Sequence, residues 1–198
     1  MKTAIRRIRW IWAAILGLVL IGISVVAANT DALKDKKEKF GMSIILTSPA
    51  FTHGRVIPVQ HTCDSINVSP RLSWTDIPVG AKSLALIVDD PDAPDPAAPK
   101  MTWVHWLLYN IPHDAKGLAE GVAIEDLADG TLQGVNDWHR TDYRGPCPPV
   151  GKHRYFFKLY ALDVVLPDMQ HPTKAALEKA MQGHMLAQAE LIGLYQRQ

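Results

Sequence analysis

The chain has 198 residues, of which 47% are hydrophobic and 21% are charged, and its formal net charge is +1. This length and composition indicate one globular domain with a sizeable core, together with a further segment at the N-terminus. The near-neutral charge argues against a nucleic-acid-binding protein, because such proteins carry a strongly basic surface.

The N-terminus combines a basic leader with an apolar run. The leader contains four cations, Lys2, Arg6, Arg7 and Arg9. Residues 11–28 then contain no charged side chain. This order predicts that residues 1–28 are either a signal peptide cleaved after Ala28 or an N-terminal membrane anchor. In both cases the rest of the chain is exported, and it is periplasmic or held on the outer side of the inner membrane.

Residues 29–41 are predicted to form a charged, flexible linker. The segment mixes lysines with Asp31, Asp35 and Glu38 and contains hardly any apolar residue. It cannot bury enough surface to offset the conformational entropy that is lost on ordering. The folded domain is therefore predicted to span 42–198.

Short apolar runs alternate with turn residues in the first part of this domain. Branched and aromatic side chains are concentrated at 43–46, 84–89, 104–110 and 154–162. Proline, glycine, asparagine and aspartate separate these runs. The pattern predicts a mainly antiparallel β domain.

The end of the chain has a different periodicity. Thr173 follows a proline and is a suitable N-cap for a helix. Steps of three and four residues connect Leu177, Met181, His184, Leu191 and Tyr195. This stripe predicts a C-terminal helix that packs on the sheet, with His184 as a buried structural histidine.

The first polar stretch follows the run at 84–89. Strand alternation places Asp90 on one face and Asp89 on the other. Pro91 is expected to end the strand and to leave Asp90 and Asp92 at its exit. Binding groups are frequent at strand ends, but aspartate and proline also form ordinary turns, so this stretch alone does not indicate a site.

The second polar stretch contains His105, which alternation places on the same face as Trp103 and Leu107. A histidine with such neighbours is most often structural and bonded to the backbone. Like the first stretch, this one does not indicate a site by itself.

The third polar stretch, 145–163, places His153 and Tyr155 on one face of a strand. Three prolines precede the strand, and they fix φ and remove backbone donors. The amides of Gly145 and Cys147 are therefore expected to be free to face a ligand. A rigid approach of this kind lowers the ordering cost of binding, and we predict that it forms one wall of a small polar pocket.

The two cysteines, Cys63 and Cys147, lie far apart in the sequence, which is not the spacing of a metal-binding motif. An exported domain allows a disulfide between them. Two separate buried thiols are the alternative.

Three motifs in order resemble the phosphatidylethanolamine-binding protein family. They are Asp-Pro-Asp-Ala-Pro at 90–94, His-Trp at 105–106 and Gly-Pro-Cys-Pro-Pro-x-Gly-x-His-Arg-Tyr at 145–155. The similarity is greatest to the bacterial, Raf-kinase-inhibitor-like branch, and it covers nearly the whole domain but none of the first 41 residues. The first and third motifs are highly specific as a pair, although neither is specific alone.

The resemblance implies an α+β fold that is mainly β, with a large antiparallel sheet, a smaller sheet and flanking helices. It also implies a compact anion pocket near the surface. Carried over by motif, the pocket residues are Asp90, His105, His153 and Tyr155, lined by Asp92, Trp103, Gly145, Cys147 and Pro148. Ligands of the family are phosphate-like groups and phospholipid head groups, and some eukaryotic relatives inhibit kinases or proteases.

The chemistry of these residues agrees with an anion pocket in part. Histidine and tyrosine side chains donate hydrogen bonds to phosphate oxygens, whereas the carboxylate of Asp90 repels an anion. Asp90 can instead fix the tautomer of a histidine, or it can pair with an ammonium group such as that of ethanolamine. We favour the first role, because it is compatible with any anion.

One segment departs from the family pattern. Residues 138–143, Trp-His-Arg-Thr-Asp-Tyr, are bulkier and more charged than the small, glycine-rich stretch that is expected there. The difference leaves the ligand specificity open.

The sequence therefore predicts an exported, non-catalytic protein without cofactor or metal. Its predicted partners are a phosphate-like anion or a phospholipid head group, and the membrane through its N-terminal segment. The alternative is an interaction or inhibitor module that docks a phosphorylated or acidic partner, which the sequence does not name.

An enzyme would need a metal held by Asp90, His105 and His153, or a Cys147 thiol activated by His153. The sequence contains no His-Glu-x-x-His motif or comparable short-range pair of metal ligands, and no Gly-x-Ser-x-Gly motif.

Overall fold

The computed structural model describes residues 44–197. The predicted segments 1–28 and 29–41 lie outside the described residues. The strands are β1 (Ile45–Thr47), β2 (Arg55–Val56), β3 (Leu72–Thr75), β4 (Ser83–Ala93), β5 (Met101–Pro112), β6 (Gly117–Leu118), β7 (Leu132–Gln133), β8 (His153–Leu162) and β9 (Met185–Tyr195). One α-helix, α1 (Lys174–Met181), and 3-10 turns at Val59–His61 and Ile124–Asp126 complete the regular structure within 44–197. Over the same residues, no helix is long and apolar enough to cross a membrane.

The strands form two sheets, one of three strands in the order β1-β3-β6 and one of six in the order β2-β9-β8-β4-β5-β7. The short pairing of β2 with β9 is parallel, and the other pairings are antiparallel. This arrangement confirms the predicted mainly β fold with a large and a smaller sheet.

Strand β4 lies inside the large sheet and is covered on both faces. Leu84, Leu86 and Val88 contribute to a core that the large sheet shares with the small one. On the other face, Ile87 packs in a second core that includes Leu177 of α1. The two cores explain why β4 is apolar on both faces rather than alternating between apolar and polar residues.

Asp89 is buried on the helix side of β4, where two lysines neutralise it. Its carboxylate lies 2.8 Å from Nζ of Lys158 and 3.1 Å from Nζ of Lys174. Because Lys174 begins α1, the ion pairs connect the helix to the sheet. Asp89 therefore faces away from Asp90, as strand alternation predicts.

The strand continues to Ala93, so the prediction that Pro91 leaves Asp90 and Asp92 at a strand exit is wrong, although the regular ladder does end near this proline. The pairing of β4 with β8 stops at Asp89, and the pairing with β5 shifts register between Asp90 and Ala93. A proline is tolerated here because the ladder is irregular and needs no donor at this position.

The predicted C-terminal helix is present, but it ends at Met181 instead of extending to Tyr195. Thr173 caps it, with its Oγ1 accepting a hydrogen bond from the amide of Ala176 at 3.3 Å. Gly183, with φ +81°, follows the helix, and the chain then forms β9.

Strand β9 was mistaken for helix because its buried side chains suit both periods. Ala187, Leu191 and Tyr195 are buried and lie four residues apart, a spacing that fits a strand face as well as a helix stripe. His184 lies between the two elements with a side chain that is 43% exposed, and its Nδ1 is 2.8 Å from Asp163. The prediction of a buried His184 is wrong.

Candidate functional site

A cavity of about 420 Å³ opens at one end of the strands of the large sheet, where β4 ends and where β5 and β8 begin. Six of the residues predicted for the pocket line it: Asp90, Trp103, His105, Cys147, Pro148 and His153. The remaining lining residues are Ala93, Pro94, Met101, Trp138 and Pro149. The cavity is thus mostly apolar with a few convergent polar groups, which is the usual character of a small-molecule site.

Asp90 and His153 form a hydrogen-bonded pair at this cavity. His153 begins β8 and is fully buried, and its Nδ1 lies 2.7 Å from Oδ2 of Asp90. The Nε2 atom of His153 lies 3.0 Å from the carbonyl oxygen of Val150. The other carboxylate oxygen of Asp90 accepts a hydrogen bond from the amide of Asp92 at 2.8 Å.

These contacts determine the charge of the pair. A carbonyl oxygen only accepts, so Nε2 of His153 carries a proton and donates it to Val150. A second proton must lie between Nδ1 and Oδ2, whichever atom holds it. The pair therefore carries no net charge, and burial, which raises the pKa of Asp90, favours this shared proton further. Asp90 consequently does not repel an anion in the way that an isolated carboxylate would.

His105 occupies a β-bulge in β5. Val88 pairs with Trp106, and the next residue of β4, Asp89, pairs with Val104. His105 is therefore an extra residue without a direct partner on β4. Bulges of this kind redirect side chains and are frequent beside functional sites.

The bulge changes the faces of β5 after His105. His105 lines the cavity together with Trp103, whereas Leu107 joins the core on the helix side of the sheet. The prediction that His105 and Leu107 share a face is therefore wrong, because the extra residue reverses the alternation.

The imidazole of His105 is a neutral acceptor in the free protein. Its Nδ1 donates to the carbonyl oxygen of Arg144 at 2.5 Å, and burial lowers the pKa of His105 to about 4. The Nε2 atom is buried and has no hydrogen-bond partner among residues 44–197. At neutral pH this atom can only accept a hydrogen bond, whereas the sequence predicted a donor to an anion.

Tyr155 lies behind His105 instead of lining the cavity. The two rings meet edge to face, with 5.2 Å between their centroids. The hydroxyl of Tyr155 is buried without a hydrogen-bond partner in the described part of the chain, and burial raises its pKa. It is therefore a neutral hydroxyl beside His105, and the nearby carboxyl of Asp90 raises its pKa further.

The wall at 145–149 is fastened to the segment that follows the first 3-10 turn. Cys147 is disulfide-bonded to Cys63, with 5.4 Å between their Cα atoms. The amide of Gly145 donates to Oδ1 of Asn67 at 2.8 Å, and a Cβ at Gly145 would overlap the carbonyl oxygen of His61. Gly145 thus allows close backbone contact, and the expectation that its amide is free is wrong.

The amide of Cys147, unlike that of Gly145, makes no hydrogen bond to any residue within 44–197. Because Cys147 also lines the cavity, its amide is a candidate hydrogen-bond donor to a ligand.

Asp92 does not line the cavity. Its carboxylate accepts hydrogen bonds from the backbone amide, Nε and a terminal nitrogen of Arg154, at 2.9, 2.9 and 2.6 Å. These hydrogen bonds hold the pKa of Asp92 below its ordinary value. The residue therefore fixes the start of β8 and supports the site from outside.

Trp138 is a lining residue that the motifs do not identify. Its ring meets those of Trp103 and His105 edge to face, with centroid distances of 5.4 and 5.0 Å. Asn136 is buried and organises the loop, since its Oδ1 accepts from the amides of Trp138 and Arg140 at 3.0 and 3.1 Å. The only sequence signal for Trp138 is the unusual bulk of 138–143.

Residues 47–196 match the family model described as phosphatidylethanolamine-binding protein. The chain belongs to the phosphatidylethanolamine-binding protein family. It is 52% identical over 153 residues to a UPF0098 protein from Methanothermobacter thermautotrophicus, an alignment that covers 77% of this chain and 98% of the relative.

Two solved structures of this family are similar to the domain. A phosphatidylethanolamine-binding protein homologue from Chlamydia trachomatis has a TM-score of 0.72 and 46% identity, covering 79% of this chain and 99% of that chain. YbcL from E. coli, a member of the mammalian family, has a TM-score of 0.70 and 30% identity with the same coverage of 79% and 99%.

The structure can be compared with the two catalytic alternatives, a metal site and a reactive Cys147 thiol. Within 44–197, no group of three His, Cys, Asp or Glu side chains is arranged to hold a metal ion. Cys147 is bonded to Cys63 and so has no free thiol for His153 to activate.

Proposed function

We propose that the cavity binds the phosphate group of a small molecule or of a phospholipid head group, without catalysis. The observation that carries the proposal is that Nε2 of His105, a residue that lines the cavity, is buried without a hydrogen-bond partner among residues 44–197, as is the hydroxyl of Tyr155, whose ring packs against His105. A buried polar atom without a hydrogen bond costs about 1–3 kcal/mol, so a ligand that satisfies both atoms recovers this free energy. Membership of a family named after phospholipid binding supports the same ligand class.

A singly protonated phosphate group complements these atoms. Its P–OH donates to Nε2 of His105, and an unprotonated oxygen accepts from the hydroxyl of Tyr155. The amide of Cys147 supplies a further donor. The neutral charge of the Asp90–His153 pair removes the repulsion that would otherwise oppose an anion.

The same hydrogen bonds couple binding to a proton. If a doubly charged phosphate enters instead, His105 must take up a proton to become a donor. Whether the monoanion binds or the dianion binds with proton uptake by His105, the complex contains one proton more than the free protein and the free dianion together. Affinity is therefore predicted to fall as the pH rises above about 6, where a phosphate monoester loses its second proton.

The rigid wall of the cavity supports a site that is already formed before the ligand binds. Pro148 and Pro149 restrict the backbone of one wall, and the disulfide through Cys147 connects this wall to Cys63. A site that is already ordered loses little conformational entropy when it binds a ligand.

We further propose that the domain is exported and that it is either released or held at the membrane by residues 1–28. The basic leader and apolar run support export, as does the disulfide between Cys63 and Cys147, since disulfides persist in oxidising compartments. A membrane-held domain would meet phospholipid head groups at high effective concentration.

Calorimetric titration with inorganic phosphate, phosphoethanolamine and glycerophosphoethanolamine tests the proposed ligand, from about pH 5.5 to 8. We expect saturable binding that weakens with rising pH. Tyr155→Phe removes only an unpartnered hydroxyl and should weaken binding about tenfold or more, the value of a hydrogen bond to a charged group. Tyr160→Phe, on the opposite face of β8, is the matched control and should bind as the wild type does. Absence of binding to all three compounds, or equal affinities in Tyr155→Phe and wild type, would contradict the proposal.

A further inference from the structure

The cavity is much larger than a phosphate group. Its volume is about 420 Å³. A phosphate group has five heavy atoms and occupies the space of about three water molecules, or roughly 90 Å³. Most of the cavity therefore remains for whatever is attached to the phosphate.

The lining of this remaining space is apolar. Besides Asp90, His105 and His153, the cavity is formed by a disulfide-bonded cysteine, an alanine, three prolines, a methionine and two tryptophans. A hydroxyl-rich substituent would leave its polar groups without partners on such a surface. An apolar substituent would gain free energy from leaving water.

The carboxyl group of Asp90 is not free to bind a cation. Asp90 is the one carboxylate among the lining residues, and both of its oxygens are already hydrogen-bonded, to His153 and to the amide of Asp92. Because a proton within the Asp90–His153 pair cancels its charge, an ammonium group on the ligand finds no uncompensated anion. An amine-bearing substituent therefore gains little over an uncharged one.

Trp138 offers an aromatic part of the apolar surface that a ligand can still cover, beside the exposed side chain of Met101. Trp138 is 37% exposed, although it already meets Trp103 and His105 edge to face. The two hydrogen bonds accepted by Asn136 hold the loop in this position before any ligand arrives. The ring is thus both positioned and accessible.

From these observations we infer that the ligand is a phosphoester with a compact apolar substituent, an aryl or short branched alkyl group, and that Trp138 determines this preference by packing on the substituent. The inference rests on the proposed phosphate binding and specifies its ligand class.

Calorimetry on the full chain with phenyl phosphate, phosphoethanolamine and inorganic phosphate tests the inference. Phenyl phosphate should bind about tenfold more tightly than either of the others, as expected for one additional buried aromatic contact. In Trp138→Ala the ratio of the affinities for phenyl phosphate and inorganic phosphate should fall below about threefold, whatever effect the loss of the ring has on the affinity for phosphate itself. Trp138→Phe keeps an aromatic ring at this position and should keep the preference.

The possible outcomes separate the inference from the proposed function. If inorganic phosphate binds but phenyl phosphate binds no more tightly, or if phosphoethanolamine binds most tightly, the inference is wrong and phosphate binding stands. A preference for phenyl phosphate that survives in Trp138→Ala removes the role of Trp138. If none of the three compounds binds, both proposals fail.

Discussion

His105 lies buried at a bulge in β5, and its burial makes folding sensitive to acid. An unfolded chain protonates this histidine with a pKa near 6.5, whereas in the folded protein its pKa is lowered to about 4. Between these two values the unfolded state binds more protons than the folded state. The free energy of unfolding must therefore decrease as the pH falls through this window.

We predict that His105 alone lowers the free energy of unfolding by about 3 kcal/mol between pH 6.5 and pH 4, which is the difference between its two pKa values in energetic terms. Urea unfolding of wild type and His105→Gln at several pH values measures this contribution, and the variant should show a shallower decrease. The exposed His113, changed to Gln, is the matched control and should follow the wild type. Parallel curves for wild type and His105→Gln would contradict the prediction.

At the scale of single residues, regular strands made part of the site predictable. His153 and Tyr155 share a face because β8 alternates without interruption, and the motifs place Asp90 and His105 near them. The bulge at His105 could not be foreseen, since one added residue leaves no mark in the sequence. Trp138 was missed because its position depends on hydrogen bonds within its own loop and not on any period.

The disulfide connects two irregular elements that strand pairing leaves independent. Besides the bond to Cys147, Cys63 donates its amide to the carbonyl oxygen of Pro146 at 3.1 Å. Tyr143 donates its hydroxyl to the carbonyl oxygen of His61 at 2.9 Å. The cavity wall is therefore held by one covalent bond and by hydrogen bonds, and the hydrogen bonds should remain when the disulfide is broken.

We predict that replacing both cysteines, Cys63→Ser with Cys147→Ser, lowers the free energy of unfolding by about 2–4 kcal/mol, because the disulfide closes a long loop of the unfolded chain. The remaining hydrogen bonds should preserve the fold and much of the phosphate affinity. Urea unfolding with and without a reducing agent measures the effect, and the double variant itself serves as the control for the reagent. A wild-type midpoint that does not move once thiol titration shows full reduction would contradict it.

The elements differ in how well their sequence determines them. The run at 154–162 became β8 because its aromatic and branched residues alternate over its whole length. The stripe through Leu177 and Met181 correctly indicated α1. Beyond Gly183 the same spacing of four residues belongs to a strand, and only pairing with β8 decides between the two interpretations. Local pattern was insufficient there because the decisive partner is distant in the sequence.

For the molecule as a whole, the disulfide and the sequence of the N-terminal segment both favour a location outside the cytoplasm. A bond between Cys63 and Cys147 would not persist in a reducing cytoplasm. The order of features in the sequence of 1–28, a basic leader before an apolar run, predicts export. If the two observations have one cause, oxidation of the cysteines should depend on the segment.

We predict that the full chain is recovered with Cys63 and Cys147 oxidised and outside the cytoplasmic fraction. A chain that starts at residue 29 should stay in the cytoplasm with both thiols free. Cell fractionation followed by thiol alkylation and mass measurement distinguishes the two states. Recovery of the full chain in the cytoplasm with two free thiols would contradict export.

The shared proton of Asp90 and His153 also bears on how fast a ligand is captured. A neutral pair and a neutral His105 give the cavity no positive charge of their own, and residues 42–198 contain 13 Lys or Arg against 17 Asp or Glu, so no net positive charge of the domain draws an anion toward the cavity. Association of an anion should then receive no electrostatic assistance, and its rate should not fall as the ionic strength rises. Differences in affinity among ligands would then come from their dissociation rates. These rates depend on the contacts with Trp138, with Nε2 of His105 and with the hydroxyl of Tyr155.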